Sequence, residues 1–144
     1  MGLMRIARTP LVTVTPEITV MEAVRTMTEE SIGAIAVVRG NRLAGIFSER
    51  DLMLRVVSAR RDPEQILVGE VMTSPVETIR RDSTADEALK VMLDRHIRHL
   101  PIVDRDGSLC GMISMRSLLH DKVEELTDQL DSLEAYFTAD GAGG

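Results

Sequence analysis

The spacing of apolar positions changes several times along this chain, and each change marks the boundary of a predicted helix or strand. Residues 34–38 and 43–47 are two short apolar runs separated by a polar turn, which is typical of a hairpin of buried strands. In the segment before this hairpin, apolar residues recur at intervals of three and four, which predicts a helix with one buried face. That face consists of Val20, Ala23, Val24 and Met27. A second helix is expected after the hairpin, with Leu52, Val56 and Val57 on its buried face.

The junction between the hairpin and the second helix, residues 45–51, reads Gly-Ile-Phe-Ser-Glu-Arg-Asp. Ser48 and Asp51 have the spacing of a capping box, in which both side chains accept hydrogen bonds from free amides at the helix start. The same amides and the positive end of the helix dipole can hold a phosphate, and the Asp51 carboxylate can accept bonds from a ribose diol. The motif therefore predicts either a plain helix cap or part of a nucleotide site.

The whole order of segments then occurs a second time. Residues 111–117 repeat the glycine, the two apolar residues, the serine and the arginine of residues 45–51. Thr19 and Thr84 each precede a glutamate by three residues, which predicts a capped helix in both copies. The chain is thus a tandem repeat, and the two copies are expected to pack together because neither could bury its strands and helices alone.

Composition narrows the function classes. The chain has 144 residues, 44% of them hydrophobic, which allows one domain or two small units that share a core. A net charge of −6 and only 2% aromatic residues argue against nucleic acid as a partner. The N-terminus lacks an apolar signal stretch, and no apolar run approaches the roughly 20 residues of a membrane span. We therefore expect a cytoplasmic protein that binds neither nucleic acid nor membrane.

The sequence also lacks the patterns of a catalytic or metal site. No nucleophile with a base and no paired carboxylates stand out, so we expect no enzyme activity. His96 and His99 lie three residues apart, but they flank a predicted helix end and strand start, so they should not share a face to bind a metal. Cys110 is the single cysteine and is expected to be a small buried apolar residue rather than a disulfide partner.

The last predicted helix continues beyond the length of its counterpart in the first copy. Apolar residues recur along it at alternating spacings of four and three: Leu119, Val123, Leu126, Leu130, Leu133 and Phe137. Such a stripe typically packs on a partner helix, so we expect a homodimer with Leu126, Leu130 and Leu133 at its interface. Folding of this helix back onto its own domain is the alternative. Residues 139–144 carry no packing side chains and are predicted to be a flexible tail.

From about residue 9 to residue 119 the chain resembles the tandem cystathionine-β-synthase (CBS) domain pair, or Bateman module, and especially the small stand-alone bacterial CBS-pair proteins. The resemblance rests on the repeat, on Gly-x-x-Ser-x-x-Asp at 45–51 and on Arg-His-Leu-Pro-Ile-Val at 98–103. It implies an α+β (α/β-like) fold in which each unit packs a small sheet with two helices. The expected divisions are two CBS domains, a helical extension and the tail, at 9–66, 67–122, 123–138 and 139–144.

The resemblance also implies a regulatory module without catalytic activity. Such a module would bind AMP, ATP, NAD(H) or S-adenosylmethionine in a cleft, and an unidentified effector protein would respond to the bound ligand. An alternative is a structural or protein-interaction module whose clefts stay empty and which acts through its dimer or its C-terminal helix.

In the first unit, the resemblance assigns the ribose to Asp51, the phosphate to Ser48 and a charge-partner role to Arg50. The adenine pocket of that unit would be lined by Thr13, Gly33, Ala34, Ile35 and Ala36. In the second unit Ser114 would take the phosphate, and the pocket would be lined by Thr78, Arg98, His99, Leu100 and Pro101. Ser117 stands where the first unit has Asp51. Since a hydroxyl cannot hold a diol as a carboxylate does, the Asp51 site is expected to bind adenosyl ligands more tightly.

Overall fold

The computed structural model describes residues 2–8 and 10–143, with side chains described as far as Thr138. A 3₁₀ turn, Leu3–Arg5, precedes the first unit. The elements of the first unit are β1 (Thr13–Val14), α1 (Val20–Glu30), β2 (Ala34–Arg39), β3 (Arg42–Ser48) and α2 (Glu49–Asp51), which continues as a π-helical segment, Leu52–Val57. Those that follow are α3 (Val68–Val71), β4 (Ile79–Arg80), α4 (Ala85–Arg95), β5 (His99–Val103), β6 (Leu109–Ser114) and α5 (Met115–Gly143).

The two units have the same sheet topology. Each sheet has three strands in sequential order, β1-β2-β3 and β4-β5-β6, with the first pair parallel and the second antiparallel. Ala36 lies opposite Ile46 in the first hairpin, and Pro101 lies opposite Met112 at the equivalent place in the second. The predicted α+β fold of a tandem pair with a long C-terminal helix is therefore confirmed.

The predicted helix caps explain where α1 and α4 begin. The Thr19 hydroxyl accepts a hydrogen bond from the Glu22 amide at 3.2 Å, and the Thr84 hydroxyl accepts one from the Glu87 amide at 3.1 Å. These bonds satisfy amides that have no partner within the helix. Both helices end on a residue in the left-handed conformation, which stops the helix and turns the chain into the hairpin.

Each core is completed by a segment from outside its own repeat. The first core, around Phe47, includes Ile66 and Val68 from the segment that joins the two units. The second core includes Leu3 and Ala7 from the N-terminal arm. The two units are thus joined by a reciprocal exchange of short apolar segments rather than by contact between finished domains.

Backbone hydrogen bonds hold both exchanged segments at equivalent places. The Arg8 amide donates to the Met112 carbonyl at 3.0 Å, next to the β6 edge. Thr73 and Ile46 exchange two such bonds, of 2.8 and 3.0 Å, next to the β3 edge. We call these two exchanged segments, residues 3–8 and 66–73, the straps. The straps lie on equivalent strand edges, which gives the chain an approximate two-fold symmetry.

Some predicted boundaries differ from the structure. Val57 is 64% exposed, so its placement on a buried face is wrong: neighbouring helical residues point in different directions, and burial of Val56 turns Val57 outward. Helix α5 runs through residues 139–143, where a flexible tail is predicted; the mobility of that segment stays a prediction, and Gly144 and Thr9 lie outside the described residues. Among the helices of the described chain, none is both long and apolar enough to cross a membrane.

Candidate functional site

A cleft of about 320 Å³ opens where the two units meet, and we call it the Ser117 cleft. Its first wall comes from the residues before β1 and around the start of β2, and its second wall comes from β5, β6 and the start of α5. The residues that line it are Arg8, Leu11, Val12, Ser31, Ile32, Gly33, Ala34, His99, Met112, Ser114, Arg116 and Ser117. The site therefore belongs to both repeats.

The β5–β6 hairpin positions the polar side chains of the second wall. His99 and Ser114 lie opposite each other on neighbouring strands, and α5 begins directly after Ser114. The Ser114 hydroxyl accepts a hydrogen bond from the Ser117 amide at 3.1 Å, and the two hydroxyls lie 3.0 Å apart. Each hydroxyl can still exchange a further hydrogen bond with a ligand.

Positive charge dominates the lining of the Ser117 cleft. Arg8 and Arg116 both line it, and none of the described lining residues is acidic. One Arg8 nitrogen donates a hydrogen bond of 2.9 Å to the carboxylate of Glu30, which lies outside the lining. This bond holds the guanidinium in place. Arginine binds phosphate by charge-assisted hydrogen bonds, so this lining suits an anionic group.

His99 contributes little charge at neutral pH. Burial lowers the pKa of His99 below its usual value; the Glu49 carboxylate opposes this shift, and Arg98 adds to it. The imidazole is therefore neutral near pH 7, and it can either donate or accept a hydrogen bond in the cleft.

Asp51, the residue assigned to the ribose by the resemblance, is bound internally. Its side chain is 8% exposed. One carboxylate oxygen accepts from the Ser48 amide at 3.0 Å and the Ser48 hydroxyl at 3.1 Å, which completes the predicted capping box. The other oxygen accepts from the Thr73 hydroxyl at 2.9 Å and lies 3.6 Å from the Arg55 Nε. A ribose diol at Asp51 would compete with the Thr73 hydroxyl for this oxygen.

The structure groups the predicted site residues differently from the sequence analysis. Gly33 and Ala34, which the resemblance grouped with Asp51, line the cleft that contains Ser114 and Ser117. The approximate two-fold symmetry explains this difference, because it turns the start of β2 in one unit toward the helix start of the other. Gly33 and Ala34 thus lie beside the helix start of the other repeat, while their role in binding adenine stays a prediction.

The other predicted site residues are spread over several environments. Ile35 and Leu100 belong to the two cores. Ala36 and Pro101 are also buried, whereas Thr13, Arg50 and Arg98 are exposed and Thr78 is half-buried. None of these eight residues lines the Ser117 cleft.

Two residues of the straps were missed by the sequence analysis. Arg8 lines the Ser117 cleft and Thr73 binds Asp51, and both lie two residues before a proline at equivalent positions of the repeat. An alignment of the two repeats that continues upstream of Pro10 and Pro75 places Arg8 opposite Thr73.

The two histidines that lie three residues apart, His96 and His99, occupy different environments. His96 is the exposed residue at which α4 ends, while His99 lies inside the cleft. Within residues 2–8 and 10–143, no group of three or more His, Cys, Asp or Glu side chains is placed to hold a metal ion. Cys110 is half-buried beside the second core, and burial raises the pKa of its thiol.

Comparison with known proteins agrees with this architecture. The family model of the CBS domain matches the chain twice, at residues 3–58 and 68–124. The protein MK0525 of Methanopyrus kandleri is 37% identical over 115 residues, which cover 79% of this chain and 59% of that protein. The chain thus spans about three fifths of the length of this relative.

Two solved structures show the same likeness. A protein with CBS domains from Burkholderia ambifaria superposes with a TM-score of 0.79 at 32% identity, covering 86% of this chain and 95% of that one. CBSX2, solved in complex with AMP, superposes with a TM-score of 0.70 at 25% identity, covering 82% and 91% of the two chains. The chain therefore belongs to the CBS-domain family and carries a tandem pair of CBS domains.

Proposed function

We propose that the chain is a regulatory, non-catalytic module that binds an adenine nucleotide in the Ser117 cleft. The observation that carries this proposal is a cleft between the two units with two arginines, three serines and no acidic residue among its described lining. The structure of CBSX2 with AMP supports the adenine nucleotide as the ligand class.

The charge of the cleft favours some adenosyl ligands over others. AMP, ATP and NAD(H) present phosphates that Arg8, Arg116 and the Ser114 hydroxyl can bind. S-adenosylmethionine has no phosphate and carries a sulfonium cation, which the two arginines repel. We therefore propose that the cleft binds AMP, ATP or NAD(H) in preference to S-adenosylmethionine.

The sequence predicts tighter binding beside Asp51, whereas the geometry favours the Ser117 cleft. The Asp51 carboxylate already accepts three hydrogen bonds, and a ligand there would compete with the Thr73 hydroxyl for it. The Ser117 hydroxyl bonds with Ser114 of its own repeat, so a ligand in the Ser117 cleft does not have to compete with a strap for it. We propose that a ligand between the two units alters their packing and that an effector protein responds to this change.

The internal binding of Asp51 also favours a second candidate function. If helix capping and strap anchoring are its whole role, the chain could be a structural or protein-interaction module with empty clefts. Failure of every adenosyl ligand to bind would support that function.

Titration calorimetry with AMP, adenosine, ATP, NAD, NADH and S-adenosylmethionine tests the proposal. We expect AMP to bind about tenfold more tightly than adenosine at low ionic strength, which corresponds to about 1.4 kcal/mol from the phosphate contacts. Added salt should narrow this difference because it screens the charges.

Two matched arginine variants locate the site. Arg116→Ala should remove most of the preference for AMP over adenosine, since it deletes one phosphate donor from the cleft. Arg50→Ala removes the exposed arginine at the equivalent position of the first repeat and should leave AMP binding unchanged. Equal losses in the two variants would place the phosphate elsewhere.

A further inference from the structure

Apart from His99, the polar side chains that line the Ser117 cleft form two groups, each at one end of a helix. The group at the start of α5, which we call the α5 group, consists of Ser114, Arg116 and Ser117. The group at the end of α1, which we call the α1 group, consists of Arg8 and Ser31. The cleft therefore offers an arginine and a serine hydroxyl at two separate places, one in each repeat.

Arg8 belongs to the α1 group because of its contacts with Glu30, the last residue of α1. Its Nη2 donates to the Glu30 carboxylate at 2.9 Å and to the Glu30 carbonyl at 3.2 Å. A guanidinium has five N–H groups, so these two bonds leave the hydrogens of Nε and Nη1 for another acceptor. The side chains of Arg8 and Glu30 are 38% and 44% exposed, and an ion pair this accessible to water is weak enough to exchange with a ligand.

The lining suits an anion better than a free ribose diol. A diol needs acceptors, and none of the described lining residues carries a carboxylate. The side-chain acceptors in the cleft are serine hydroxyls and the neutral imidazole of His99, whose hydrogen bonds are those between neutral groups. A phosphate instead meets an arginine at either group, where charge-assisted hydrogen bonds are about twice as strong.

We infer that the Ser117 cleft selects adenine nucleotides with two separated phosphates, one on the 5′ oxygen and one on the 2′ or 3′ oxygen of the ribose. This inference rests on the proposed function and specifies its ligand. The α5 group binds one phosphate and the α1 group binds the other, while apolar lining residues such as Leu11, Val12 and Ile32 supply a surface for the base. Arg8 is thus the residue that sets the preference for a second phosphate.

Three isomeric nucleotides test this preference by titration calorimetry at low ionic strength. ADP has its two phosphates joined through one bridging oxygen, whereas adenosine 2′,5′-bisphosphate and 3′,5′-bisphosphate have them on different oxygens of the ribose. The tighter of the two bisphosphates should bind about tenfold more tightly than ADP, since only separated phosphates reach both groups. We call this ratio of affinities the bisphosphate preference.

Two arginine variants of the N-terminal arm separate a local contact from a general effect of charge. Arg8→Gln should lower the bisphosphate preference by about fivefold or more, because it removes the charge of the α1 group. Arg5→Gln is the matched control: Arg5 lies on the same arm and is also paired with a carboxylate, that of Asp121, but it does not line the cleft. This control should leave the preference within about twofold of the wild type, since exposed charges at a distance are screened.

Glu30→Gln provides a test that keeps Arg8 in place. It removes the carboxylate that competes for the guanidinium, so it should raise the bisphosphate preference. An unchanged or lower preference in this variant, equal losses in Arg8→Gln and Arg5→Gln, or wild-type protein that binds ADP as tightly as both bisphosphates would overturn the inference. Each of these results leaves AMP binding, and with it the proposed function, intact. Failure of AMP, ADP and both bisphosphates to bind would overturn the two together.

Discussion

Asp51 and Ser117 occupy the same position in the two repeats, yet their side chains make different bonds. Asp51 joins the start of α2 to the strap residue Thr73, so its carboxylate links the two units. The Ser117 side chain bonds with Ser114, at the start of its own helix, and it lines the cleft. The strap position equivalent to Thr73 is taken by Arg8, whose guanidinium binds Glu30. Two differences between the repeats, Ser117 for Asp51 and Arg8 for Thr73, thus separate a bound carboxylate from an open cleft.

We predict that Asp51→Ala lowers the free energy of unfolding by about 1–3 kcal/mol. The change removes a helix cap and leaves the half-buried Thr73 hydroxyl without its acceptor. Ser117→Ala is the matched control and should cost less than about 1 kcal/mol, since it removes one bond between neutral hydroxyls. Urea unfolding of both variants measures the difference, and equal costs would contradict the structural role of Asp51.

The hydrogen bonds of the Asp51 side chain could be predicted from the sequence only in part. The capping box follows from the spacing of Ser48 and Asp51, which is a local property of four residues. The bond from Thr73 depends on a residue 22 positions further along the chain, and no periodicity indicates it. The choice between a cap and a ribose ligand therefore required the packing of the strap.

At the scale of elements, the two signature glycines permit the straps to approach the sheets. A Cβ at Gly45 would lie 2.8 Å from the Thr73 carbonyl oxygen and 2.6 Å from the Met72 sulfur. A Cβ at Gly111 would lie 3.2 Å from the end of the Met4 side chain. The first contact involves backbone and cannot relax easily, whereas the second involves a flexible side chain.

We expect Gly45→Ala to destabilise the protein by about 1–3 kcal/mol, the usual cost of overpacking. Gly111→Ala should cost clearly less, because the Met4 side chain can move aside. Thermal or urea unfolding compares the two variants. A larger loss for Gly111→Ala would show that the strap at Thr73 is more loosely held than its backbone bonds indicate.

The longer elements could be predicted because their signals are local. Helices α1 and α4 begin at the predicted threonine caps, and the two hairpins follow the apolar runs. The short helix α3 and the 3₁₀ turn of the arm were not predicted, since three or four residues carry no periodicity. Sequence order does not predict the unit on which their buried residues pack. Leu3, which precedes the first unit, packs in the second core, and Val68, which follows the first unit, packs in the first core.

At the scale of the whole molecule, the N-terminal arm connects the proposed ligand site to α5. Leu3 is buried in the second core, Arg5 pairs with Asp121 of α5, and Arg8 lines the Ser117 cleft. A phosphate bound by Arg8 would compete with its ion pair to Glu30. Ligand binding can thereby act on a segment that also contacts α5, the helix that the sequence predicts to form a dimer interface.

The central claim, that an adenine nucleotide binds in the Ser117 cleft, is tested most directly by NMR titration of the three histidines with AMP. His99 lines the cleft, whereas His96 and His120 are exposed outside it and serve as internal controls. In the free protein we expect the pKa of His99 below its usual value of about 6.5, because of burial.

Bound AMP should raise the pKa of His99, since a nearby phosphate stabilises the protonated ring, while the NMR signals of His96 and His120 should not shift when AMP is added. His96 is the repeat equivalent of the cleft residue Ser31, so it would respond to a ligand beside Asp51. The account predicts a response of His99 alone. A response of His96, or none from His99 at saturating AMP, would contradict it.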